Sequence, residues 1–237
     1  MSIEEICRKY NIENYTINPD GSIDVNGDVL LDDYGFTKLP LIFNNITGYF
    51  YIDNNHLTTL KGCPKSIGGH FNCSFNNLLD LKDSPNKIGG NFDCSYNKLT
   101  SLSGSPESVD NEFDCSFNML TDLKGSPNRI GFDFDCSNNK LTSLLGSPES
   151  VGNNFNCSYN KLIDLKGSLK ELGNDLYCWG NPIVNLFYKV NIEFIIAFNT
   201  FKILKRNTIN LKRLKYVMEI FDKPIDLEKI KKYYIIK

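Results

Sequence analysis

The feature that most constrains this chain is a repeat of 21 residues. Cysteines recur at this interval, and asparagine, leucine and phenylalanine recur with them. A fixed period of this length is typical of solenoids, in which each copy forms one coil and buries its apolar edge against the next coil. The sequence therefore predicts one elongated repeat domain. The cysteine row consists of Cys73, Cys94, Cys115, Cys136, Cys157 and Cys178.

One unit, GGNFDCSYNKLTSLSGSPESV, shows how a coil is built. Alternation along a strand places Phe92 and Cys94 on one side and Asp93 on the other. Asn97 follows the strand, where its amide can bond backbone groups of neighbouring coils. Two leucines then return to the interior, and the Gly-Ser-Pro stretch is typical of a turn. We therefore predict parallel strands that stack into a continuous apolar core.

The middle of this unit matches the L-x-L-x-x-N/C-x-L pattern of leucine-rich repeats, with Phe92 and Cys94 in place of the first two leucines. The unit is similar to the short repeat of secreted bacterial effectors. The chain resembles still more closely the leucine-rich-repeat-like proteins of tailed bacteriophages and giant viruses. The segments that support this resemblance are YTINPDGSIDVNGDV, the GNFDCSYNKLTSL units and NLKRLKYVMEIFDKPIDLEKIKKYYIIK, and it extends from Tyr15 to Lys237.

This resemblance implies an α/β solenoid of the leucine-rich-repeat type, with about seven coils. It also implies a phage-encoded accessory protein that acts on a host or viral protein, for example by neutralising a host defence component. The charged start of the chain lacks the apolar region of a signal peptide. We therefore expect a cytoplasmic location, which is the host cytoplasm if the gene is viral.

The pattern changes at both ends, which predicts three regions. Residues 1–28 suit a short helix, with Ser2 as N-cap and Glu5 completing a capping box, followed by a hairpin from Tyr15 to Val25. Residues 29–182 form the solenoid. Residues 183–237 have helical spacing and predict a helical cap.

Within that C-terminal region, an apolar stripe predicts a first helix, Asn210 is the expected N-cap of a second, and a third begins near Asp226. The stripe consists of Phe187, Val190, Phe194, Ile195, Phe198 and Phe201.

The C-terminal region is also basic. Residues 181–237 hold twelve Lys or Arg and five Asp or Glu, whereas the whole chain holds 26 and 28. The basic helices are a possible surface for phosphate, so nucleic-acid binding is an alternative function. Charge runs on helices usually form a solvated face, so we do not expect nucleic acid to be the main partner. The chain has no long apolar run, and we expect no membrane association.

The cysteine row has three possible uses. Stacked coils place equivalent residues about 4.8 Å apart with parallel side chains, whereas a disulfide needs Cβ atoms about 3.8 Å apart. A linear row of thiols also cannot surround one zinc ion tetrahedrally. We therefore predict that these thiols are buried and pack as small apolar groups.

The predicted binding site lies on the outward side of the strands, which lines a concave face in leucine-rich-repeat proteins. Its acidic residues are Asp93, Glu112, Asp114, Asp133 and Asp135, of which Asp93, Asp114 and Asp135 form one row, called here the acidic row. Its aromatic residues form the aromatic stripe, which consists of Phe75, Tyr96, Phe117 and Tyr159.

Stability does not require aspartates on successive strands, because neighbouring carboxylates repel one another. Exposed aromatic residues beside charges are typical of binding hot spots. We therefore predict a protein partner with a basic or mixed surface. The alternative is that the aspartates are tolerated in solvent and that the aromatic rings pack along the rim of the coils.

Other chemistries fit less well. Carboxylates from strands in a line do not wrap calcium, and an open, wet face offers no desolvation to shift a pKa for catalysis. The two histidines, His56 and His70, have no nucleophile in a recognisable arrangement, and His70 is expected to be solvated. We expect a non-catalytic module without metal or cofactor. A second alternative is a structural protein that assembles through its coils or caps.

Overall fold

The computed structural model describes residues 1–163, 165, 167, 169–182, 189–190, 197, 204–205, 208–221, 227–233 and 235–236. The repeats wind into a parallel-stranded β-solenoid of about seven turns, each about 21 residues long. The predicted solenoid and its period are thus confirmed. Between residues 29 and 163 the coils contain strands and turns but no helix, so the α of the predicted α/β class is limited to the two ends.

Each coil contributes one strand to a nine-stranded sheet, called here the long sheet. Equivalent residues lie directly opposite each other, as Phe113 does with Phe92 and Asp114 with Asp93. Its strands are Val29–Leu30, Phe50–Tyr51, Phe71–Asn72, Phe92–Asp93, Phe113–Asp114, Phe134–Asp135, Phe155–Asn156, Leu176–Tyr177 and Lys189–Val190.

A second sheet, which the repeat pattern did not predict, runs along another side of the coils and is divided between Ile88 and Ser108. Its first part contains Tyr15–Ile17, Ile23–Val25, Phe43–Ile46, Ser66–Ile67 and Lys87–Ile88. Its second part contains Ser108–Val109, Arg129–Ile130, Ser150–Val151 and Glu171–Leu172.

The interior consists of rows of identical side chains. One phenylalanine per coil stacks on the next, with ring centroids 5.0 Å apart between Phe71 and Phe92 and 5.1 Å between Phe92 and Phe113. The cysteine row is wholly buried and its thiols are free, which confirms the predicted burial. Because each coil covers the apolar edge of its neighbour, the core continues from coil to coil.

Buried asparagines tie consecutive coils together. The Nδ2 of Asn97 donates to the carbonyl of Cys73 in the preceding coil at 3.0 Å and to those of Cys94 and Ser95 in its own coil. Its Oδ1 accepts the N–H of Leu78 at 2.9 Å. The same set of bonds recurs at Asn76, Asn118, Asn139, Asn160 and Asn181. The predicted asparagine ladder is confirmed.

At the N-terminal end, helix α1 spans Ile3–Lys9 and begins with the predicted capping box of Ser2 and Glu5. The strands Tyr15–Ile17 and Ile23–Val25 form the expected antiparallel hairpin. The second of these strands also pairs in parallel with Phe43–Ile46, so the hairpin continues directly into the second sheet.

At the C-terminal end, helix α2 spans Leu211–Ile220 and helix α3 spans Leu227–Tyr233. Asn210 is the N-cap of α2, as predicted, and its Oδ1 accepts the N–H of Arg213 at 3.0 Å. The strands Leu204–Lys205, Thr208–Ile209 and Ile235–Ile236 form a small sheet. No helix in the described part of the chain is long and apolar enough to cross a bilayer.

The predicted helix over the apolar stripe is wrong at one position. Val190 lies in a strand that pairs antiparallel with Leu176–Tyr177. An open strand edge recruits other chains, and this pairing covers the edge of the last coil. The remaining residues of that stripe, Phe187, Phe194, Ile195, Phe198 and Phe201, lie outside the described residues.

Candidate functional site

The long sheet brings the acidic row together. Asp93, Asp114 and Asp135 face one another on three adjacent parallel strands, with Asp114 between the other two. Each carboxylate also has a local partner, because its Oδ1 accepts the N–H of the serine two residues later at 2.8 Å. This bond closes a tight turn at the end of the strand.

The side chains of the acidic row thus have a structural role in the turn, and this role does not require their charge. Asn72 and Asn156 occupy the same position in other coils, and their Oδ1 atoms accept the corresponding serine N–H at 3.0 and 3.1 Å. An amide thus performs the structural role as well as a carboxylate does. The negative charges at three successive strands are not explained by the turn.

Burial raises the pKa of the Asp114 carboxyl to about 7. The neighbouring Asp135 and Asp93 add to this rise, while the hydrogen bonds from Ser116 oppose it. Desolvation also raises the pKa of Asp53, which precedes the acidic row on the same side of the sheet. The expectation that this face is too wet to shift a pKa is therefore wrong, because the stacked side chains exclude water from one another.

The other two acidic candidates bond to neighbouring coils. The Oε2 of Glu112 accepts from Nδ2 of Asn91 at 2.9 Å. The Oδ1 of Asp133 accepts the backbone N–H of Asn154 at 2.8 Å. His70 is placed similarly, since its Nδ1 accepts the N–H of Asn91 at 2.8 Å and its ring stacks on Tyr49. The expectation of a merely solvated His70 is wrong.

The aromatic stripe occupies one position per coil, which we call the outer rung. The rings of Phe75, Tyr96 and Phe117 stack in series, with centroids 4.2 Å apart and planes 9° from parallel. These side chains remain 42–52% exposed, and Tyr159 is 60% exposed. The outer rungs from Asn54 onward are Asn54, Phe75, Tyr96, Phe117, Asn138, Tyr159 and Gly180, and Asp33 holds the equivalent left-handed position before them.

The backbone at the outer rungs is left-handed. The φ angles are 51° at Phe75 and Tyr96, 52° at Phe117 and 55° at Tyr159. This conformation suits glycine and asparagine, which occupy the other outer rungs, and costs a bulky residue about 1–2 kcal/mol. Stacking in the series offsets about 0.5–1.5 kcal/mol per contact. Aromatic residues at the outer rungs therefore stabilise the fold little more than asparagine would.

The free thiols offer no second site. Burial raises the pKa of the thiols of Cys73, Cys94, Cys115, Cys136 and Cys157 well above its usual value, and that of Cys178 to about 12. Protonated, enclosed thiols are poor nucleophiles and poor metal ligands. Among the described residues, no three histidine, cysteine or acidic side chains cluster in a way that could hold a metal ion.

Comparison with protein-family models and with curated proteins finds no match to this chain. The site must therefore be judged by its own chemistry. It consists of a row of carboxylates beside a row of half-exposed, stacked rings, and we call the five acidic candidates together with the aromatic stripe the acidic-aromatic face. Such a surface offers charge attraction and flat apolar contact to a partner.

Proposed function

We propose that this chain is a non-catalytic protein-binding module and that the acidic-aromatic face is its binding surface. The observation that supports this most is the aromatic stripe. Phe75, Tyr96 and Phe117 hold bulky, half-exposed rings in a left-handed backbone that asparagine adopts at less cost. Because the fold gains little from these rings, a contact with another molecule is the better explanation for them.

The charge of the face indicates the chemistry of the partner. Three aspartates on adjacent strands repel one another, although asparagine fills the same structural role at Asn72 and Asn156. Positive charges on a partner would offset the repulsion among the aspartates and be attracted to them. A partner with Lys or Arg beside apolar side chains would complement both rows.

We further propose, from the sequence resemblance alone, that the repeat is of the leucine-rich type and that the chain is phage-encoded. On this proposal it acts in the host cytoplasm on a host or viral protein, such as a defence component. The acidic-aromatic face would then be the surface that captures this protein.

The chain itself supplies matched substitutions for a test. The triple variant D93N/D114N/D135N removes the charges of the acidic row but keeps the turn bonds, as Asn72 and Asn156 show. The triple variant F75N/Y96N/F117N replaces the rings by the residue found at Asn54 and Asn138. Both variants should therefore fold like the wild-type chain, which circular dichroism and thermal melting would check.

The binding experiment presents the full chain to a library of yeast-displayed random peptides of about nine residues. We expect enriched peptides to be basic and to bind each triple variant at least about tenfold more weakly. Enriched peptides that bind both variants as tightly as the wild type would overturn the proposal. If sedimentation shows that the chain self-associates through the same face, structural assembly would replace partner binding as the proposed function.

A further inference from the structure

The stack of rings along the outer rungs is interrupted at one position. Phe75, Tyr96 and Phe117 follow one another without a gap, Asn138 comes next, and Tyr159 resumes the stripe. Adjacent parallel strands lie about 4.8 Å apart, so the rungs of Phe117 and Tyr159 are separated by about 9.6 Å. One flat ring placed midway would lie about 4.8 Å from each, which is a normal distance for stacked aromatic rings.

Asn138 leaves this space open. Its Nδ2 donates to the hydroxyl of the adjacent Ser137 at 3.2 Å, which holds the amide close to its own coil. The outer rungs on either side of Tyr159 are Asn138 and Gly180, so neither adjacent rung carries a ring, and Tyr159 is the most exposed member of the stripe at 60%. A Cβ at Gly180 would meet the Tyr159 ring, whose one side therefore rests on bare backbone.

Two surface cavities meet at Asn138. A cavity of about 620 Å³ begins at Asn54, follows the stripe from Phe75 to Phe117 and ends at Asn138. A second cavity of about 300 Å³ begins at Asn138 and is lined by Tyr159, Tyr177 and Trp179. Asn138 lines both cavities, so a chain lying along the stripe passes from one to the other over this short side chain.

We propose that the space between Phe117 and Tyr159 is a slot for one aromatic side chain of a protein partner, inserted over Asn138 and flanked by a Lys or Arg that pairs with the acidic row. This inference rests on the proposed function and specifies the partner's chemistry.

Two observations select a protein side chain rather than a nucleobase as the occupant. Stacked rings also bind single-stranded nucleic acid, but that mode needs a positively charged groove for the phosphates. Here Asp135 lies three residues before Asn138 in the same coil, and Asp114 lies opposite Asp135 on the next strand. Carboxylates in these positions repel phosphate and attract Lys or Arg.

The test fills the slot and compares the result with a ring added elsewhere. N138Y supplies the missing ring, and Tyr159 shows that tyrosine accepts the 55° φ angle that Asn138 also has. D83Y is the control, because it adds a ring at an exposed left-handed position with φ 65° that lines neither cavity of the stripe, and it leaves the slot open. N138Y joins Phe117 to Tyr159 in one stack, and D83Y adds an exposed ring, so thermal melting should show that both variants fold like the wild type.

The wild-type chain is first used to select yeast-displayed random peptides. We expect the enriched peptides to contain Trp, Tyr or Phe next to Lys or Arg. Their dissociation constants for N138Y should rise at least about tenfold, while those for D83Y stay within about twofold of the wild type. Y159N removes one wall of the slot and should also weaken binding, which keeps the test valid if N138Y misfolds.

Three outcomes would overturn the inference. Peptides that bind N138Y and Y159N as tightly as the wild type would exclude the slot, and so would enriched peptides without an aromatic residue. A thymidine oligonucleotide that binds the wild type more tightly than the peptides and is lost in N138Y would assign the slot to nucleic acid. If peptides depend on the acidic row but ignore N138Y, this inference fails while the proposed function stands. If they ignore the whole face, both fail.

Discussion

Asn138 and Asn139 are neighbours in the chain but belong to different regions of the molecule. Asn139 is buried, and its amide bonds to the carbonyls of Cys115, Cys136 and Ser137. Every coil from Asn55 to Asn181 has asparagine at that position. Asn138 lies on the outer rung, where other coils have Asn, Phe, Tyr or Gly. An interior position is fixed by its partners in adjacent coils, whereas an outer position is free to vary, so its identity reports on function.

The largest expected effect is the loss of an interior ring. Phe113→Ala should lower the free energy of unfolding by about 3–5 kcal/mol, because Phe113 is wholly buried between Phe92 and Phe134 and its removal leaves a cavity. Phe132→Ala is the control, since Phe132 is 48% exposed and should lose less than about 1 kcal/mol. Equal losses in chemical denaturation would contradict the division between interior and surface.

The next effect is the removal of one member of the asparagine ladder. Asn118→Ala leaves the N–H of Leu99 without its side-chain partner inside the core, and the carbonyl of Cys94 keeps only its bond from Asn97. We expect a loss of about 1–3 kcal/mol, which is the usual cost of a buried group that loses its partner. The exposed Asn86→Ala should change stability by less than about 0.5 kcal/mol. A loss below about 1 kcal/mol for Asn118→Ala would show that water replaces the ladder.

A smaller effect is expected at Asp114. Its pKa is raised from the ordinary value of 3.8 to about 7, so the folded chain binds more protons than the unfolded chain between these values. Stability should therefore fall as pH rises through this window, and the penalty is fully present above about pH 7. Asp114→Asn keeps the turn bond and removes the penalty.

We expect the D114N variant to be more stable than the wild type at about pH 8, by on the order of 1 kcal/mol, because the carboxyl keeps some contact with water. The two proteins should converge below about pH 3, where the wild-type carboxyl is protonated in both states. Denaturation series at several pH values would measure this. A difference that persists unchanged at low pH would assign the effect to packing instead of charge.

The smallest effect on stability is expected at the stripe. Phe117→Asn relieves a strained backbone conformation and removes one stacking contact. Because these two effects have opposite signs, the free energy of unfolding should change by less than about 1 kcal/mol. Binding of the selected basic peptides should nevertheless weaken at least about tenfold. A large loss of stability with unchanged peptide binding would mean that the stripe serves the fold.

The sequence predicted much of the interior because each interior residue is repeated for a physical reason. The spacing of Cys94, Asn97 and Leu99 predicted strand, ladder and core, and all three are found. The second sheet was missed because most of its strands bury a single apolar residue, as Lys87–Ile88 does, and so lack the alternation that Phe92, Asp93 and Cys94 show. The helical spacing around Val190 was misleading, since pairing with the last coil overrode it.

All nine candidate site residues come from positions predicted to face outward, and their role in binding stays a prediction. The desolvation of Asp114 was not predicted from the sequence, because it arises from the stacking of one coil on another. The left-handed backbone at Phe117 belongs to the turn that follows each strand. The gap at Asn138 is visible in the sequence as an asparagine within an aromatic row, but its meaning depends on the stacking of the rings on either side.

The asparagine ladder has a consequence for the length of the protein. Each ladder amide reaches the same atoms of the preceding coil, so cutting out residues 128–148 would rejoin the chain with every bond of this kind restored across the junction. The shortened protein would be one coil, about 4.8 Å, smaller. The deletion would also place Phe117 and Tyr159 on adjacent coils. The aromatic stripe would then run from Phe75 to Tyr159 without a gap.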